Sequence, residues 1–258
     1  MAMTDLWVAG VANPQAKARL FCFPFAGGNT LFYRSWSRCF PSEIELRPVR
    51  LPGREGRFKE ACYREATSLA QALLEGLSSY LDLPFAFFGH SMGALLAFEL
   101  ARALRRRGDP GPFGLMISGR SAPHLPLSRG ILHTLPDPAL IDELRNYGGT
   151  PEIVLRNEEI MELFLPMIRA DFAISETYVH TPDAPLKCPI RAFGGETDHM
   201  VSKTELDAWR QQTSDSFALR MFPGGHFYLD GVGGPLLTRM VAEELKILMP
   251  NANSKHHS

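Results

Sequence analysis

The chain has 258 residues, 45% of them hydrophobic, and a formal net charge of -1 at pH 7. That length suffices for one α/β domain with a large core, and the near-zero charge excludes a global basic field for nucleic acid or an anionic membrane. The opening MAMTDLWVAGVANPQAKAR has no basic leader ahead of an apolar core, and no apolar run nears the roughly 18 residues of a membrane span, which predicts a soluble, cytoplasmic protein.

Short runs rich in aromatic and β-branched residues alternate with longer amphipathic stretches. RLFCFPFAGG predicts a strand at Leu20 to Phe23 running into a glycine turn, followed by a helix near Leu31 to Phe40 and a strand at Ile44 to Val49. Leu69, Leu73, Leu77 and Leu81 recur every four positions and predict a helix ahead of the strand Phe85 to Phe88. A helix from Ala94 to Arg107 stops at GDPGP, and the cations of Arg105, Arg106 and Arg107 suit the dipole of its C-terminal end. Strands follow at Leu115 to Ser118, Pro189 to Phe193 and Ala218 to Phe222, then a terminal helix at Leu236 to Met249. This alternation predicts an α/β fold with a mainly parallel central sheet flanked by helices, in a single domain spanning 1–258.

Ser121 to Leu186 interrupts the rhythm with a connection far longer than usual, helical at Pro138 to Tyr147 and Glu158 to Tyr178. Met161, Phe164, Leu165, Ile168 and Phe172 share one face of the second helix. Two roles are open to that face, packing on the body as core and roofing the site as a helical lid insertion over about 121–186.

FGHSMGA places Ser91 between two glycines where a buried strand meets a helix, the outline of a nucleophile elbow; the alternative is a helix N-cap. A serine hydroxyl needs a base within hydrogen-bond reach and a third group to orient that base. On the α/β-hydrolase template an acid and then a histidine follow on loops after later strands. GGETDHMV offers Asp198, with Glu196 as the alternative acid, and PGGHFYL offers His226. The oxyanion donors predicted on the same template are the backbone N–H groups of Met92 and, in the FAGGN turn, Ala26. Cys22, Cys39, Cys62 and Cys188 form no C-x-x-C pair and read as ordinary thiols, and no metal is expected; His256 and His257 read as a frayed tail.

CFPFAGG, RLPGR, FFGHSMGALLAFELAR, LPMIRADF, FGGETDHMV and FPGGHFYL occur in this order along nearly the whole chain. Together they resemble the type II thioesterases, the stand-alone editing hydrolases of nonribosomal peptide and polyketide synthases, in the α/β-hydrolase superfamily. Phe25 stands where many members have His. The resemblance implies hydrolysis of acyl or aminoacyl groups from the phosphopantetheine arm of acyl or peptidyl carrier proteins. Ser91 would take the acyl group, His226 act as base and then acid, Asp198 hold the imidazole, and no cofactor take part. The family's lid would guard a pocket for short acyl chains; a monomer is the default expectation, independent of the resemblance. Arg50, Arg54 and Arg57 could form a basic rim for acidic carriers, or pair with Glu55 and Glu60 as solvated arginines. A general carboxylesterase, lipase or acyltransferase on the same scaffold is the alternative function.

Overall fold

The structure, a computed structural model, describes residues 6–127 and 130–250; His256 and His257 lie outside them. In chain order the first elements are β1 (Ala18–Phe23), a 3-10 helix (Thr30–Cys39), β2 (Ile44–Pro48), α1 (Ala66–Gly76), β3 (Phe85–His90), α2 (Met92–Arg107) and β4 (Gly114–Ser118). Then come α3 (Asp137–Tyr147), α4 (Glu152–Leu155), α5 (Glu158–Glu176), β5 (Ile190–Gly195), α6 (Lys203–Asp207), β6 (Phe217–Phe222) and α7 (Gly233–Leu248). All predicted strands form, and they pair in parallel throughout in the order β2-β1-β3-β4-β5-β6.

Period-2 alternation explains why both faces of this sheet are covered. Phe21, Phe23, Phe85, Phe87, Leu115 and Ile117 point to one face and pack with Leu69 and Leu73 of α1 and Leu95 and Leu96 of α2. Leu20, Cys22, Ala86, Phe88 and Met116 point to the other and meet Tyr33 and Trp36 of the 3-10 helix and Leu237, Val241 and Leu245 of α7. Every residue of β3 is buried, as expected for a strand sandwiched on both sides.

The long connection between β4 and β5 carries α3, α4 and α5, with an apolar cluster of its own. Leu140, Leu144, Leu155, Met161, Leu165 and Ile168 bury one another there. The chain therefore stacks a helical layer beyond the sheet ends.

Strand order fixes where chemistry can sit. β1 connects to β2 on one side, while the chain later resumes at β3 on the other, so a crevice opens between the loops that leave β1 and β3. Because the strands are parallel, the turns after β1, β3, β5 and β6 all emerge at that same edge. Those four turns hold Ala26, Ser91, Asp198 and His226.

Candidate active site

Ser91 lies between β3 and α2 with φ 53° and ψ -114°, a backbone region that a non-glycine residue enters only under strain. Packing enforces it. A β-carbon on Gly89 would come within 2.1 Å of the Gly93 carbonyl oxygen, and one on Gly93 within 2.3 Å of the Phe23 carbonyl oxygen. Both glycines let α2 start hard against β1 and β3, leaving Ser91 at the apex. The Ser91 N–H donates to the Ser118 carbonyl at 2.8 Å, and its side chain makes no helix-capping bond. The strain therefore serves the presentation of the half-buried hydroxyl rather than helix initiation.

Asp198 and His226 meet across the turns after β5 and β6. His226 Nδ1–H donates to Asp198 Oδ2 at 2.9 Å, and both side chains are almost fully buried. Asp198 Oδ1 accepts from the backbone N–H groups of Met200 at 2.8 Å and Val201 at 3.3 Å, so the carboxylate is held from both ends. Glu196 is exposed, and the imidazole Nδ1 is bonded to Asp198 instead. With Nδ1 engaged as a donor, the lone pair resides on Nε2, which is buried and has no hydrogen-bond partner.

That Nε2 belongs to a ring lining a cavity of about 270 Å³, which Ser91 also lines. Its floor includes Phe25, Ala26 and Gly27; its roof comes from Leu144, Tyr147, Met161, Phe164, Met167, Ile168 and Phe172 of the helical layer. The predicted apolar face of α5 thus splits its work. Leu165 is core, Phe164 is 38% exposed and faces the cavity, and Met161, Ile168 and Phe172 do both. Met92 N–H, the first of α2, has no acceptor within its own helix, and Ala26, in the turn after β1, lines the same cavity as Ser91. A larger depression of about 570 Å³ beside β2 contains none of these residues.

A second histidine escaped the sequence reading. His90, next to the nucleophile, is completely buried, its ring 4.8 Å from that of His226. His90 Nδ1 lies 2.9 Å from Ser118 Oγ, which shares a 2.7 Å hydrogen bond with Tyr228 OH. Burial, and then the neighbouring His226, push the His90 imidazole well below its ordinary pKa and keep it neutral. A second cation beside His226 would oppose the imidazolium that a general base must become.

Because the folded state resists protonating His90, stability is full above the unfolded histidine pKa and falls as pH drops below about 6.5. His90→Gln should lower stability at pH 8 yet flatten its dependence between pH 7 and 5, removing up to about 1.4 kcal/mol per pH unit. Urea unfolding at four pH values measures this; parallel curves for parent and variant would show that His90 titrates freely.

Phe25, in place of histidine, packs edge-on against Phe32, Phe227 and His90, so the substitution builds an aromatic wall at the cavity. Arg54 and Arg57 are not a solvated rim. Arg57 is buried, bonded to Glu60 and stacked 4.0 Å over Trp7, while Arg54 is buried against Asp171; Arg50 lies 3.7 Å from Glu55. Burial raises the Cys22 thiol pKa and lifts that of Cys188 to about 12, so neither offers a thiolate near neutrality. Among the described residues no cluster of three or more His, Cys, Asp or Glu is arranged to hold a metal, and no helix is long and apolar enough to cross a membrane.

Comparison with known proteins adds a lineage to this geometry. The thioesterase domain family model matches residues 18–241. The gramicidin S biosynthesis protein GrsT of Aneurinibacillus migulanus is 46% identical over 217 residues, covering 84% of this chain and 85% of GrsT. The solved structure of RedJ, a thioesterase of the prodiginine biosynthetic pathway in Streptomyces coelicolor, is similar with a TM-score of 0.85 and 39% identity, over 92% of this chain and 97% of RedJ. BorB, the type II thioesterase of the borrelidin biosynthetic cluster, gives a TM-score of 0.86 at 38% identity, over 95% of this chain and all of BorB.

Proposed function

The chain belongs to the thioesterase family, and on that premise we propose that Ser91, His226 and Asp198 hydrolyse acyl and aminoacyl thioesters carried on the phosphopantetheine arm of synthase carrier proteins. Its fold is the α/β-hydrolase fold and it is an enzyme of thioester hydrolysis. The observation that carries the site assignment is the Asp198–His226 pair, which leaves Nε2 unbonded on a ring that lines the same cavity as Ser91 at its strained elbow.

In this reading His226 Nε2 takes the Ser91 proton as Oγ attacks the thioester carbonyl, and the oxyanion is held by the N–H groups of Ala26 and Met92. Collapse breaks the C–S bond; the pantetheine sulfur leaves as thiol with the proton from His226. Water, deprotonated by the same Nε2, then attacks the acyl-serine and frees a carboxylic acid and Ser91. Removing a stalled or wrong acyl group this way returns the carrier to its free-thiol form, which is the editing role.

The helical layer of α3, α4 and α5 is the lid. At about 270 Å³ the apolar cavity falls just under the roughly 300–1,000 Å³ of sites for drug-sized ligands, which supports short acyl chains. Action as a monomer in the cytoplasm, alongside the carriers it would serve, belongs to the same proposal.

Mass spectrometry of a panel of acylated carrier proteins tests the reading. We expect loss of the acyl mass and recovery of the free phosphopantetheine thiol, faster than hydrolysis of matched coenzyme A thioesters or oxygen esters. Equal rates on carrier-free oxygen esters would instead mark a general carboxylesterase, lipase or acyltransferase.

A further inference from the structure

Two of the motifs, RLPGR at residues 50–54 and LPMIRADF at residues 165–172, supply none of the reacting groups, yet the fold brings them together behind the turn that follows β1. Arg54 and Asp171, 117 positions apart, form a bidentate pair: Nη2 donates to Oδ1 at 2.7 Å and Nη1 to Oδ2 at 2.9 Å. Their side chains are 4% and 1% exposed.

The pair does more than neutralise itself. Arg54 Nη1 also donates to the Gly28 carbonyl at 2.8 Å, and Asp171 Oδ2 also accepts from the Gly27 N–H at 2.8 Å. Both ends of one peptide turn are thus gripped, and the turn closes on itself through Gly28 N–H to Phe25 carbonyl at 2.8 Å. Gly27 sits at φ +74°, with Ile168 of α5 packed against it. Ala26, the residue between the closing carbonyl of Phe25 and the gripped N–H of Gly27, therefore has little freedom to rotate its own amide.

We propose that Arg54 and Asp171 are positioning residues that aim the Ala26 N–H at the oxyanion, and that through Asp171 lid helix α5 holds this donor in place. The proposal rests on Ala26 being an oxyanion donor. A buried ion pair adds little stability over an apolar replacement, so its distinctive output here is geometry. Misplacing a catalytic group by about 1 Å costs on the order of 100-fold in rate.

The test uses the full chain with an acyl N-acetylcysteamine thioester. Two inhibitors accompany it: a trifluoromethyl ketone, which Ser91 would capture as an oxyanionic hemiketal, and the matching methylene thioether, which forms no oxyanion. Asp171→Asn should lower kcat about 100-fold with KM changed less than about threefold, and weaken the ketone by a similar factor while sparing the thioether. Arg54→Lys keeps the charges balanced but cannot reach three acceptors, so about a tenfold loss of kcat is expected, and it serves where Asp171→Asn does not fold. The double variant should be no slower than Asp171→Asn, since the residues act as one unit.

Unchanged kcat per folded molecule with only a lower melting temperature would reduce the pair to a staple and overturn the proposal. So would equal weakening of ketone and thioether, which means a collapsed cavity. Ser91→Ala run alongside separates the two levels: activity in that variant would sink the site assignment itself, whereas an inactive Ser91→Ala with a fully active Asp171→Asn would sink only the clamp.

Discussion

Ser91→Ala should abolish thioester hydrolysis, lowering kcat on the order of a millionfold while leaving the fold intact. The expectation that the variant folds follows from the elbow. At φ 53° the strain comes from a β-carbon, which alanine also has, and the packing of Gly89 and Gly93 that enforces it does not involve the hydroxyl. Alanine also deletes no capping bond, because the serine side chain makes none. Stability should therefore change by less than about 0.5 kcal/mol. What disappears is the covalent route. Residual rate, roughly 1,000- to 10,000-fold over water, would come from the oxyanion donors and from positioning in the cavity. Single-turnover assays with an acylated carrier measure the loss, and intact-protein mass spectrometry should show an acyl adduct on the parent but none on the variant. A variant within tenfold of the parent would mean that Ser91 is not the nucleophile.

Much of this arrangement is legible in local sequence, because elbow, strand and turn are short-range events. FAFFGHSMGALLAF contains its own strand, reversal and helix, and the structure differs only at the junction, where β3 runs on to His90 rather than stopping at Phe88 and α2 starts at Met92 rather than Ala94. Alternation of strands and helices predicted a parallel sheet, and the sheet is parallel throughout. Periodicity misled where a neighbour distant in sequence intervened. Leu77 and Leu81 continue the spacing of α1, yet α1 ends at Gly76, against which the indole of Trp7 packs, and the chain tightens into a 3-10 turn over Ser78–Tyr80. Likewise the predicted helix near Leu31 to Phe40 is a 3-10 helix, capped by the Asn29 side chain, and the four residues of α4 are too few to show a period.

Charge was the least legible quantity. Three arginines clustered after β2 read as solvent-facing by composition, and only the arrival of Asp171 from α5 and Trp7 from the N-terminal segment buries two of them. His90 reads as part of the elbow motif, and its link through Ser118 to Tyr228 joins three elements distant in sequence. In the GGETDHMV turn, spacing left both carboxylates open. The turn itself decides between them: the Asp198 N–H bonds back to the Gly195 carbonyl and its side chain turns inward, while the Glu196 N–H joins β6 at the Phe222 carbonyl and its side chain faces water.

That inward turn makes Asp198→Asn the second decisive substitution, with an expected loss of about 10,000-fold in kcat at neutral pH. The carboxamide is nearly the same size, and its oxygen can keep accepting from the Met200 and Val201 N–H groups. The amide NH₂ is then left facing His226 Nδ1. An NH₂ group can only donate, so Nδ1 must become the acceptor and the ring proton moves to Nε2. Nε2 is the nitrogen left to serve as base on a ring that lines the same cavity as Ser91, and once protonated it cannot take the hydroxyl proton. The enzyme would keep its shape and substrate affinity and lose its base, so kcat should collapse while KM stays within about threefold. Nitrogen NMR of the imidazole should show the proton on Nδ1 in the parent and on Nε2 in the variant. Glu196→Gln, exposed and out of reach, should cost less than about twofold; if it proved the crippling change and Asp198→Asn the mild one, the acid would have been assigned to the wrong carboxylate.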